Sequence, residues 1–167
     1  MFIPHPSALI LVAVRVRLIW VGKTRNEHLR ALVADYLQRL NRFVRCEVTE
    51  LRESESRDGR VALDQEGGRI VDALRADAVT VLLDVEGRQQ WSSTELAVQI
   101  ENWQMRGMKE VAFVIGGHLG ASRMVKERAD VSWSLSRLTL THEMARVVLA
   151  EQLYRAYTIT RGLPYQK

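Results

Sequence analysis

The chain has 167 residues, 47% of them hydrophobic and 26% charged, which fits one ordinary globular domain and excludes a disordered chain. Its 24 basic and 20 acidic residues leave a formal net charge of +4, a mild excess that permits a nucleic-acid partner without demanding one. The single cysteine, Cys46, excludes an internal disulfide and falls short of the about four ligands of a structural zinc site, so a reducing, cytoplasmic setting is expected.

The apolar run Ala8 to Val14 has no Lys or Arg before it and no small-residue cleavage site after it. It is also much shorter than the ~20 residues that span a bilayer. It reads as an N-terminal extension or a lengthened first strand, and no membrane span is expected anywhere. Residues 1–14 are taken as the extension and 15–167 as one domain. Arg15-Val16-Arg17-Leu18-Ile19-Trp20 alternates like a strand and ends in Val21-Gly22-Lys23. Thr24-Arg25-Asn26-Glu27 has capping-box spacing, and Leu29, Leu32, Val33, Tyr36, Leu37 and Leu40 then recur on one helical face. A strand over 46–51 follows, where Cys46 reads as a buried structural thiol. After the polar loop 53–59 comes a helix whose pattern is interrupted at Gly67-Gly68 and resumes at Ile70. Residues 79–84 form a short β-branched strand, apolar enough to be covered on both faces. Ser92-Ser93-Thr94-Glu95 is a second capping box, opening a helix with Leu96, Ala97, Ile100 and Trp103 inward. A buried strand over 111–115, a short helix near 122–128 and a last helix over about 142–160, with Thr141 as N-cap, complete the order. Strand and helix thus alternate, the pattern of an α/β fold with a parallel sheet and helices on both faces.

Ligands of such sheets bind beyond the carboxyl ends of the strands, where Asp84 and Gly116-Gly117 stand. Gly116-Gly117-His118-Leu119-Gly120 is either a ligand loop or only a tight strand-to-helix turn, and it matches neither a dinucleotide fingerprint nor a Walker loop. His142 and Arg146 lie one helical turn apart and project from one face, able to hold a phosphate or a base, or engaged in local hydrogen bonds. Glu151, Tyr154, Arg155 and Tyr157, with the tail that contains Tyr165, mix aromatic and basic groups as RNA contacts do, though an amphipathic dimer helix would look the same. The four histidines, His5, His28, His118 and His142, are scattered and form no metal cluster, so no metal is expected.

Taken in order, Leu18-Ile19-Trp20-Val21-Gly22-Lys23, Leu82-Leu83-Asp84, Ile115-Gly116-Gly117 with Gly120, Trp133-Ser134-Leu135-Ser136, Leu138-Thr139-Leu140-Thr141-His142, Arg146, Glu151-Gln152-Leu153-Tyr154-Arg155-Ala156 and Pro164-Tyr165 resemble the RlmH family of the SPOUT methyltransferase superfamily. The match runs from about Val16 to Lys167, and its C-terminal third is the specific part. The resemblance implies a small α/β parallel-sheet domain whose C-terminal segment forms a trefoil knot, and a homodimer. It implies S-adenosyl-L-methionine as methyl donor, held by Leu83, Asp84, Gly116, Gly117 and the stretch Ser136, Arg137, Leu138, Thr139, Leu140 and Thr141. The implied reaction is N3-methylation of a pseudouridine in large-subunit (23S) ribosomal RNA, on the assembled ribosome. Arg146 and Arg155 are expected to orient RNA or stabilise charge, His142 to position the substrate or support the cofactor loop, and Tyr165 to act from the tail. Two departures stand out. Gln166 occupies the place of the family's tail His and cannot accept a proton near neutral pH, and His118 stands where the family more often has Pro or Ala. These leave open a SPOUT enzyme with a different RNA target, or a non-catalytic ribosome-binding factor.

Overall fold

A computed structural model describes residues 13–165. Most of the expected N-terminal extension, and the tail residue Gln166, lie outside the described residues. Five strands form one sheet: β1 (Arg15–Val21), β2 (Cys46–Leu51), β3 (Val79–Leu83), β4 (Glu110–Ile115) and β5 (Val131–Trp133). Their order is β2-β1-β4-β3-β5, and every pairing is parallel. The helices are α1 (Glu27–Leu40), α2 (Gly59–Ala73), α3 (Ser93–Met105), α4 (Arg123–Arg128) and α5 (His142–Thr160). The α/β class and the parallel sheet expected from the alternating pattern are therefore present.

The sheet is covered on both faces because its central strands β3 and β4 are apolar at every position but Thr80 and Glu110. All six residues of β4 are buried, as are the first four of β3. On one face Leu18, Val81 and Phe113 meet Leu96, Ile100 and Trp103 of α3 and Leu149 and Leu153 of α5. On the other, Ile19, Leu82 and Val114 meet Ile70 of α2 and Val125 of α4. Each such side chain, once enclosed, contributes about 1.5–3 kcal/mol. Val14 is buried in the first cluster, so the packed unit already includes it.

Most caps fall where the spacing places them. Ser92 and Glu95 form the reciprocal capping box of α3, and Thr141 caps α5 by accepting from the Met144 amide. The capping box expected at Thr24 does not form. Asn26 caps α1 instead, accepting from the amides of His28 and Leu29, because the Thr24 hydroxyl is engaged elsewhere. The interruption expected at Gly67-Gly68 is also absent, since α2 runs straight through both glycines.

Candidate active site

A cavity of about 660 Å³ opens beyond the carboxyl ends of β3 and β4, the place the parallel topology favours for a ligand. Leu83, Asp84 and Val85 form one wall, and Ile115 with the loop 116–121 forms a second. The third comes from Leu135, Ser136, Leu138, Thr139, Leu140 and Thr141, with His142, Glu143 and Ala145 at the start of α5. Nine of the ten residues expected to hold a cofactor line this one space. Arg137 is the exception: it is exposed and outside the lining.

The glycine loop owes its shape to close approaches of backbone. A Cβ on Gly116 would lie 2.2 Å from the Gly120 carbonyl oxygen, which no movement of a side chain can relieve. Gly120 has φ +86°, a left-handed conformation that suits glycine, and its amide donates to the Gly117 carbonyl at 2.9 Å. The segment after β5 is pinned differently: the Ser134 hydroxyl donates to the Ser136 carbonyl at 2.8 Å, and the Leu138 amide donates to the Ser136 hydroxyl at 2.9 Å. Leu138 stands 74% exposed at the cavity edge, an apolar group presented to whatever enters. Lys126 of α4 reaches across to Asp84 at 3.4 Å.

His142 lies partly buried in the cavity wall. Burial, and then the nearby Arg146 charge, lower its pKa, with Glu143 opposing them. The imidazole is therefore neutral at pH 7 and keeps a free lone pair. His118 of the glycine loop lines the same cavity but is exposed.

Arg146 corrects an expectation. The resemblance implies that it orients RNA or stabilises charge, yet it is 0% exposed. Its guanidinium donates to the Thr24 hydroxyl at 2.9 Å and to the Val21 carbonyl at 2.7 Å, and it lies over the Trp20 ring with 5.0 Å to the centroid. It ties the start of α5 to the end of β1 and presents no donor to solvent. Nearby, the Glu143 carboxylate accepts from the backbone amides of Arg25 and Asn26, fastening the start of α5 to the segment that leads into α1.

Arg155 and Tyr165 meet at Glu151, away from the cavity lining. Arg155 Nε donates to Glu151 at 3.0 Å, the Tyr165 hydroxyl donates to the same carboxylate oxygen at 3.1 Å, and the guanidinium lies 4.8 Å from the Tyr165 ring centroid. Tyr154 packs edge-on to Tyr165 at 4.8 Å. Lys126 and Glu143 belong to this architecture, and no local spacing marks them, because each acts on a distant segment; the spacing that marks Thr24 points to a helix cap instead of its bond to Arg146. Among the described residues no group of three or more His, Cys, Asp or Glu is placed to hold a metal, and no helix is long and apolar enough to cross a membrane.

Residues 14–166 match the family described as Predicted SPOUT methyltransferase. A ribosomal RNA large subunit methyltransferase H from Gloeobacter violaceus is 42% identical over 151 residues, covering 90% of this chain and 97% of that protein. Proteins of the same name from Streptococcus gordonii and Bacillus thuringiensis are 38% and 39% identical, each covering more than nine-tenths of this chain and 99% of their own. A crystal structure described as a probable methyltransferase from Bordetella pertussis shares the fold, with TM-score 0.55 at 15% identity over 87% of this chain and 98% of the other. With a cavity at the carboxyl edge of a parallel sheet and relatives matched along nearly their whole length, the chain belongs to the SPOUT methyltransferases, in the ribosomal RNA large subunit methyltransferase H family.

Proposed function

We propose that the protein uses S-adenosyl-L-methionine to methylate N3 of a pseudouridine in large-subunit ribosomal RNA. The observation that carries this reading is the convergence of three separate chain segments, 83–85, 115–121 and 135–142, on one cavity. Its lining suits the donor. Leu83, Leu138 and Leu140 offer apolar surface for a flat base, while Ser136, Thr139 and Thr141 offer hydroxyls and backbone groups for a sugar and an amino-acid tail. Glycine at 116 and 117 lets main chain approach the ligand closely.

The methyl group comes from a sulfonium, which is already an activated donor. The protein's task is to align the acceptor nitrogen with the methyl carbon and to assist loss of the N3 proton. His142 is the base-like group at the cavity wall, neutral near pH 7 and able to accept a hydrogen bond from the incoming imide. Arg155 and Tyr165, paired at Glu151 further along α5 and outside the cavity lining, supply a cation and a ring for orienting RNA. Arg146 serves as a positioning residue, holding the helix that begins with His142. The proper substrate context is the assembled ribosome, which supplies the contacts that so small a domain lacks. The working form is a homodimer in the cytoplasm, with a partner covering apolar groups left open here, among them Leu32 of α1 and Met144 of α5. The threading is the trefoil knot of the family, supported by the tight wrap of the loop after β3 around the chain leaving β5.

The test uses radiolabelled S-adenosyl-L-methionine and bacterial ribosomes that lack the methyl mark, with and without the pseudouridine. Label that enters large-subunit RNA only when the pseudouridine is present is the expected outcome. Cofactor binding with no such label would overturn the proposed target and implicate the tail in which Gln166 replaces His.

A further inference from the structure

Glu66 is a buried carboxylate of which the fold uses only one oxygen. It projects from the middle of α2, is 3% exposed, and lies behind the cofactor loop rather than in the cavity. One oxygen, Oε1, accepts the Ser54 amide at 3.0 Å, which ties down the loop after β2. The other, Oε2, is buried and has no hydrogen-bond partner. That oxygen is aimed at the glycine loop, since a Cβ on Gly117 would lie only 3.0 Å from it. Gly117 is itself a wall of the cavity.

Buried acceptors rarely lack a donor, and one that does is a place to look for function. An isolated carboxylate is a costly group to enclose for the sake of one amide, because glutamine would accept from Ser54 equally well. What glutamine cannot do is present an acceptor on both sides at once. Across from Oε2 stands Gly117 of this loop, and the set of the loop decides what the cavity wall offers to a ligand. We propose that Glu66 is a positioning residue for methyl-donor binding: when S-adenosyl-L-methionine enters the cavity, Oε2 accepts a loop amide and locks the glycine loop in its binding conformation. This rests on the reading of the cavity as the donor site. It is the arrangement by which groups behind a binding site orient those that touch the ligand.

The test is Glu66→Gln in the full chain. Whichever way the amide turns, a donor then faces either Ser54 or the glycine loop. S-adenosyl-L-methionine affinity is measured by calorimetry, and amide hydrogen exchange is followed over 116–121 with and without saturating ligand. The expected result is a Kd raised about tenfold, the worth of one charge-assisted hydrogen bond, with the ligand-induced protection of 116–121 reduced and the melting temperature of the free protein little changed. Glu66→Asp, which keeps the charge but shortens the reach, is expected to lose affinity as well. Wild-type affinity and protection in Glu66→Gln would overturn the assignment, as would a lower melting temperature with unchanged affinity, which marks a purely structural role. A wild-type chain that binds no S-adenosyl-L-methionine overturns the donor site itself, whereas equal binding by both chains overturns only the role of Glu66.

Discussion

Arg146 shows how a residue that sits in a functional motif can act through structure. Its charge is held where no solvent reaches, and burial lowers its pKa, with Glu143, Glu50 and Glu53 opposing that shift. Its two hydrogen bonds and the Trp20 face make the site tolerable for a cation. Replacing it by Met keeps most of the volume but leaves the Val21 carbonyl and Thr24 hydroxyl unpaired. A loss of about 2–4 kcal/mol in urea unfolding is expected, the range for breaking charged, buried hydrogen bonds. Activity should fall with it, through displacement of His142, while affinity for RNA in the surviving folded fraction stays close to normal. Unchanged stability with a selective loss of RNA affinity would return Arg146 to the role its place in the motif first indicates. The sequence alone shows that His142 and Arg146 share a helical face. It does not show that the face is turned toward β1, since the Thr24 partner lies 122 residues away along the chain.

At the scale of the element, what was legible is what depends on near neighbours. The apolar stripe of α3 is buried at Leu96, Ala97, Ile100 and Trp103, and its capping box forms as spaced. The stripe of α1 is less faithful, because Leu32 stays 44% exposed. The helix α2 is expected from the sequence, but its continuity through Gly67-Gly68 is not legible there: glycine weakens a helix locally, and only the packing partner explains the presence of Gly67. A Cβ on Gly67 would lie 2.1 Å from the Ser122 hydroxyl oxygen and 2.9 Å from the Ser122 Cβ, so glycine is what allows α2 to rest on the start of α4. Gly68 meets nothing within 4 Å. Adjacent substitutions should therefore have opposite signs. Gly68→Ala is expected to stabilise by about 0.5–1 kcal/mol, the helix-propensity gain alone. Gly67→Ala should destabilise by about 1–3 kcal/mol despite the same gain, because overpacking against Ser122 outweighs it. Thermal unfolding of the two variants side by side checks both. Stabilisation by both would mean that α4 shifts freely, and the wall of the cavity that Lys126 supplies would then be soft.

For the whole molecule, the decisive feature is where two distant stretches of backbone cross. The loop after β3 wraps the chain that leaves β5: the Asp84 amide donates to the Trp133 carbonyl at 3.0 Å, the Gln89 amide to the Ser132 carbonyl at 3.0 Å, and the Ser134 amide returns to the Gln89 carbonyl at 2.8 Å. Gly87 sits at the crossing, and a Cβ there would lie 2.6 Å from both the Ser134 nitrogen and the Trp133 carbonyl carbon. These are backbone atoms held by the sheet, so neither can turn aside as a side chain would. The cavity is built on the two sides of this crossing, from Asp84 before it and Ser136 to Thr141 after it. Fold and site are thus fixed by one contact, which is why periodicity alone reveals the strands but not the path that makes them into a binding site. Gly87→Ala is expected to cost more than about 3 kcal/mol, at the severe end for single substitutions, and to lower S-adenosyl-L-methionine affinity in whatever folds. Unfolding curves with and without ligand measure both effects. Near-normal stability and affinity would show that the crossing yields, so that a tight wrap is not what shapes the cavity.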